Sequence, residues 1–155
     1  MLVINLDENT EEIQNENYIG GNNMLKKTIT YTDWNGNEVS EDFWFNLTQA
    51  EIVKLNYSYP GGLEEYTKKC ASDGDMDSAF KLLEKIITLS YGKKSLDGKR
   101  FIKSTEITDE FMQTEAYSNL FMELITDTNK AQMFVNGIIP KVVPGKSSNQ
   151  IPMNK

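Results

Sequence analysis

The chain has 155 residues, with 23 acidic and 16 basic side chains, one cysteine and no histidine. This is a one-domain length with enough chain for a core, and its net charge of −7 argues against non-specific nucleic-acid binding, which needs a basic face. The lone cysteine excludes a disulfide framework or cysteine-rich zinc site, and the missing histidine removes the commonest general base, metal ligand and pH switch.

Charge divides the chain into three parts. Residues 1–23 carry five acids and no base and end in Gly20-Gly21-Asn22-Asn23, which reads as an acidic N-terminal arm. Residues 24–140 read as a single globular domain. Residues 141–155 carry three lysines, two prolines and no acid, and read as a basic C-terminal tail. The opening Met1-Leu-Val-Ile-Asn-Leu6 is too short for a signal peptide's apolar stretch and lacks a basic start. No apolar run approaches the ~20 residues of a membrane span.

In chain order, the first element is a hairpin over 27–45. Thr28-Ile29-Thr30-Tyr31-Thr32 alternates and is β-branched, Asp33-Trp34-Asn35-Gly36-Asn37 supplies the turn, and Glu38 to Phe45 returns. Helices follow over 48–136. Thr48 and Glu51 predict a capping box for a helix reaching about Asn56, before Pro60-Gly61-Gly62. Leu63 to Ala71 is a short helix carrying Leu63, Tyr66 and Cys70 at helical spacing. Met76, Ala79, Phe80, Leu83, Ile86 and Ile87 form the best stripe, over 76–91, widened by Leu82 and Leu89. Residues 92–105 read as a polar loop closing with Phe101-Ile102. The remaining helices start near Thr108, span about Thr114 to Ile125, and run from Asp127 to a stop at Gly137. The predicted class is α+β, mainly α: an N-terminal β-hairpin packed on a small bundle of four to six helices.

Each candidate site in the sequence also has a structural explanation. Asp73, Asp75, Asp77 and Glu84 have calcium-loop spacing, but Ser78 stands where the loop needs glycine, and the stripe makes Glu84 helical. An acidic helix start explains them better. Cys70 has no activating partner and reads as core. Gly20-Gly21 and Gly61-Gly62 lack a phosphate-loop frame. Lys93, Lys94, Lys99, Arg100 and Lys103 form a basic loop, which reads as solvated, with an acidic partner or the acidic arm 1–23 as the alternative. Glu64-Glu65 and Asp109-Glu110 are adjacent on polar positions and point apart. No catalytic residue, metal site or cofactor is expected. The aromatic residues Trp34, Phe43, Trp44, Phe45, Tyr57 and Tyr59 are the candidate partner-binding set. Half of a strand pair's side chains face away from the core, so either some of these are open to a protein partner or helices cover both faces.

Several segments carry a family resemblance. They are Lys26-Lys27-Thr28-Ile29-Thr30-Tyr31-Thr32-Asp33 with Asn35-Gly36, Glu41-Asp42-Phe43-Trp44-Phe45-Asn46-Leu47-Thr48, and Gly61-Gly62-Leu63-Glu64. Further along are Ser90-Tyr91-Gly92, Asp97-Gly98-Lys99-Arg100-Phe101-Ile102-Lys103, Thr114-Glu115-Ala116-Tyr117 and Phe134-Val135-Asn136-Gly137-Ile138-Ile139-Pro140. Over 24–140 the chain resembles the tail assembly chaperones, small proteins from the tail-gene region of long-tailed phages of Gram-positive bacteria. The resemblance implies a non-enzymatic protein of the host cytoplasm during phage assembly. Its partners would be the tape-measure protein and the tail tube protein, with self-association a further expectation and no nucleic acid or membrane involved. The alternative is a structural virion protein, in head or tail, whose charged arms order on neighbouring subunits.

Overall fold

The structure, a computed structural model, describes Ile4, the strand residues 18–19 and residues 24–140. The acidic segment 1–23 lies largely, and the basic tail 141–155 wholly, outside the described residues.

Among the described residues, five strands form one antiparallel sheet in the order β1-β2-β3-β4-β5: β1 (Tyr18–Ile19), β2 (Met24–Thr32), β3 (Glu38–Phe45), β4 (Tyr91–Lys94) and β5 (Phe101–Ile102). The hairpin β2–β3 is in full register from Leu25 against Phe45 to Thr32 against Glu38. Its turn is built as the sequence predicts. The Asp33 carboxylate accepts the backbone N–H of Asn35 and Asn37, both at 2.9 Å, and Gly36 takes a φ of +86°. Those N–H groups, Asn37 foremost, hold the Asp33 carboxyl below its ordinary range.

Strand alternation sorts the hairpin into two faces. Leu25, Ile29, Tyr31, Phe43 and Phe45 are buried on the inner face. Thr28, Thr30, Ser40 and Asp42 are exposed on the outer one, paired as Thr28–Asp42 at 2.6 Å and Thr30–Ser40 at 2.5 Å.

Six helices complete the described residues: α1 (Gln49–Tyr57), α2 (Gly62–Asp73), α3 (Met76–Ser90), α4 (Thr105–Met112), α5 (Glu115–Thr126) and α6 (Thr128–Ile138). Side-chain caps start five of them. Thr48 and Glu51 form the predicted capping box at α1, while Asp75, Ser104, Thr114 and Asp127 accept N–H bonds at α3, α4, α5 and α6. The fold is therefore α+β and mainly α, as the sequence indicates.

Helices α5 and α6 lie on β2, and α4 approaches β4. Between them and the sheet sits an aromatic core. Tyr91 stacks on Phe111 at 4.3 Å, and Phe45 meets Phe134 edge-on at 5.1 Å and Phe111 at 5.9 Å. Helices α1 to α3 are inserted between β3 and β4, two strands that are neighbours in the sheet. The segment 92–105 departs from the expected loop: β4 and β5 pair within it, closed by the turn Ser95–Arg100. The cause is Tyr91, whose apolar ring draws the chain after α3 into register with Phe45. Near the N-terminus, Ile4 is buried, and its backbone N–H donates to the Thr67 hydroxyl on α2 at 3.1 Å.

Candidate functional site

The six aromatic residues proposed for partner binding do not form one surface. Phe43 and Phe45 point into the core and are unavailable to a partner, because even positions of β3 face outward and odd positions face the helices. Trp34 sits on the hairpin turn, 76% exposed, yet pinned by its indole N–H donating to the Gln113 carbonyl at 3.0 Å. Tyr57 is 86% exposed at the end of α1, four residues after the exposed Val53. Tyr59 is half-buried against Tyr66, with ring centroids 4.4 Å apart and the Lys85 ammonium 5.8 Å over its ring.

Trp44 stands on the outer face of the sheet, half-buried between two cations. The Lys94 ammonium is 4.1 Å from its ring centroid and the Lys26 ammonium 6.0 Å, with Lys26 also 3.9 Å from Asp42. Gly92, opposite Trp44 in the register, leaves room for the Phe101 ring. A Cβ there would meet a Phe101 ring carbon and the Ile102 carbonyl oxygen, each at 2.8 Å. Gly92→Ala is therefore expected to unpair β5 from β4 at a cost of about 1–3 kcal/mol. A lowered melting temperature, with faster tryptic cleavage after Lys94 or Arg100, checks it.

The basic loop is divided rather than clustered. Lys93, Lys99 and Arg100 are exposed on the β4–β5 hairpin, Lys94 covers Trp44, and Lys103 turns inward. The Lys103 ammonium donates to both Glu51 oxygens at 2.8 Å and to the Asn46 carbonyl at 2.7 Å. Burial alone would raise the Glu51 carboxyl. The hydrogen bond from Lys103 and the N–H of Thr48 outweigh it and hold the group below its ordinary value.

The calcium-spaced acids have structural placements. Asp73 ends α2, the Asp75 carboxylate caps α3 through the Ser78 N–H at 3.1 Å, Asp77 pairs with Lys81 at 2.8 Å, and Glu84 lies two turns into α3. Among the described residues no three histidine, cysteine or acidic side chains gather closely enough to hold a metal ion. Cys70 is buried on α2. Among the described residues, no helix is long and apolar enough to cross a membrane.

Sequence reasoning missed a second surface. Met76 and Phe80, read as part of the α3 core stripe, are 42% and 38% exposed. On α5, Met122 is exposed and Phe121 half-buried, its ring 6.0 Å from that of Phe80. The available signal was the width of the α3 stripe: Ala79, Leu82, Leu83, Ile86 and Ile87 fill the buried arc, and Phe80 falls at its margin. Leu96, at the tip of the β4–β5 hairpin, is fully exposed.

A family model described as phage tail assembly chaperone matches residues 24–153. No curated protein and no solved structure matches the chain.

Proposed function

The chain belongs to the phage tail assembly chaperone family, and on that premise we propose that it binds the tape-measure protein of a long-tailed phage and keeps it soluble while tail-tube subunits assemble around it. The observation that carries this reading is the apolar surface left open on an acidic chain: Trp34, Tyr57, Met76, Phe80, Leu96 and Met122. Large exposed apolar side chains on several elements suit a protein that covers another polypeptide. A long helical partner with uncovered apolar stripes aggregates, and a small module of net charge −7 that masks those stripes keeps the complex dispersed. Trp34, Trp44, Tyr57 and Tyr59 are proposed contacts; Phe43 and Phe45 act by holding the core. The work is done in the host cytoplasm by binding, without chemistry on the partner.

Co-expression with the tape-measure protein encoded in the same tail-gene region tests the reading. The expected result is a soluble complex that co-purifies, with the chain missing from mature particles by mass spectrometry. A tape-measure protein that stays insoluble, or the chain present in finished virions at structural stoichiometry, overturns it and favours a virion component.

A further inference from the structure

We infer that the basic β4–β5 hairpin receives the acidic N-terminal arm of a second copy of this chain. Residues 93–103 carry Lys93, Lys94, Lys99, Arg100 and Lys103 against Asp97 alone, on a chain of net charge −7. Two of these cations are engaged within the molecule, Lys94 over Trp44 and Lys103 on Glu51. Lys93, Lys99 and Arg100 are exposed and form no ion pair among the described residues, although α4, with Glu106, Asp109 and Glu110, lies beside β4. Lysines elsewhere have acids at hand. Asp42 takes Lys26, Glu123 takes Lys27 and Lys130, Asp77 takes Lys81, and Lys68 and Lys69 share α2 with Glu64, Glu65 and Asp73.

The hairpin fixes where its free cations stand. The Ser95 N–H donates to the Arg100 carbonyl at 2.9 Å, and the Arg100 N–H donates to the Ser95 hydroxyl at 3.0 Å. That hydroxyl donates to the Asp97 carboxylate at 2.6 Å, and the Lys99 N–H reaches the same oxygen at 3.0 Å. The single acid of the hairpin is thus bound into its turn, and Lys99 and Arg100 lend the turn only their backbone. A surface ordered before contact loses less freedom on binding.

Charge and topology choose the occupant. All five acids of residues 1–23 fall between Asp7 and Glu16, with no lysine or arginine among them. The arm is tied at Ile4, whose N–H donates to Thr67 on α2, and at Tyr18–Ile19, which pair with β2. β1 and β5 are the two edges of the sheet, four strand spacings or about 19 Å apart. One edge is therefore joined to an acidic segment and the other to a basic hairpin. Within one copy the acids near residue 16 would have to cross the sheet to reach β5, whereas a neighbour's β5 edge needs no crossing. The basic tail is a poorer match, with three lysines spread over 15 residues.

Sedimentation velocity of the full chain tests this at about 50 mM and about 500 mM salt, between which the screening length falls about threefold. Wild type is expected to self-associate at the lower salt and to weaken at least about tenfold at the higher. Lys99→Glu with Arg100→Glu should weaken association at least about tenfold, and so should Glu8→Gln with Glu11→Gln and Glu12→Gln. Mixed one to one, these two variants should associate within about threefold of wild type, since one retains the arm and the other the hairpin. Lys99 and Arg100 are exposed, so their reversal leaves the fold intact, and the arm variant alters none of the described residues.

A wild type that stays monomeric at the lower salt, or association that neither variant weakens, overturns the inference. A mixture that stays monomeric does so too, because it denies the contact between copies. Association lost on Lys141→Gln with Lys146→Gln but kept on hairpin reversal assigns the arm to the basic tail instead. Only this chain is present in each measurement, so failure here leaves the tape-measure co-purification to judge the chaperone reading.

Discussion

Phe45→Ala is expected to destabilise the protein by about 3–5 kcal/mol, which consumes much of a typical small domain's stability of about 5–15 kcal/mol. Phe45 has no exposed surface and contacts Tyr91, Phe111 and Phe134 at centroid separations of 5.7, 5.9 and 5.1 Å. Truncation removes the ring's apolar burial, three edge or tilted aromatic contacts and the join between sheet and helices, and the large neighbouring rings cannot collapse freely into the space. Trp44→Ala, one residue earlier and on the opposite face, removes a half-buried ring and its lysine contacts and should cost about 1 kcal/mol or less. Urea midpoints for the two variants check the contrast. Equal losses would mean that the outer face is covered by something the sheet alone does not supply.

Lys103→Met is expected to cost about 1–3 kcal/mol, because it strands the Glu51 carboxylate and the Asn46 carbonyl together. The ammonium is only partly exposed and makes three short contacts to those two residues. Because Glu51 also receives the Thr48 N–H of the capping box at 2.9 Å, the loss propagates to the start of α1. The double variant Glu51→Gln with Lys103→Met should cost less than the sum of the single changes, since each removes the same contact.

The pair also sets a pH dependence. The Glu51 carboxyl sits below its ordinary 4.5 in the folded chain, so its contribution is fully present above that value and lost as pH falls through the lower folded value. Wild type should therefore lose stability more steeply than Lys103→Met below about pH 4.5. Parallel acid-unfolding curves would refute the linkage.

The elements legible in the sequence were those with strong local rules. The turn at Asp33-Trp34-Asn35-Gly36-Asn37 and the capping box at Thr48 and Glu51 depend on neighbours within a few residues, and both are built as their side chains dictate. β4 was hidden because Tyr91-Gly92-Lys93-Lys94 lacks strand alternation of its own. It becomes a strand only because Phe45 and Trp44, far away in sequence, offer it a partner. The same non-locality explains the candidate site. Composition singled out Phe43, Trp44 and Phe45 together, but which of the three face outward depends on where α4 to α6 land, and Phe43 and Phe45 are buried. Phe80 looked like core because helical spacing alone does not say how wide a neighbouring helix is.

The insertion of α1 to α3 between β3 and β4 has a consequence for the order of events at the ribosome. The hairpin β2–β3 needs only a short turn to form, whereas pairing Phe45 with Tyr91 must close a loop of some 45 residues, which is entropically slower. A nascent chain therefore carries the apolar side of β2 and β3 uncovered until the segment through α6 has emerged. In that interval the molecule is itself a candidate for protection by the cell's folding machinery.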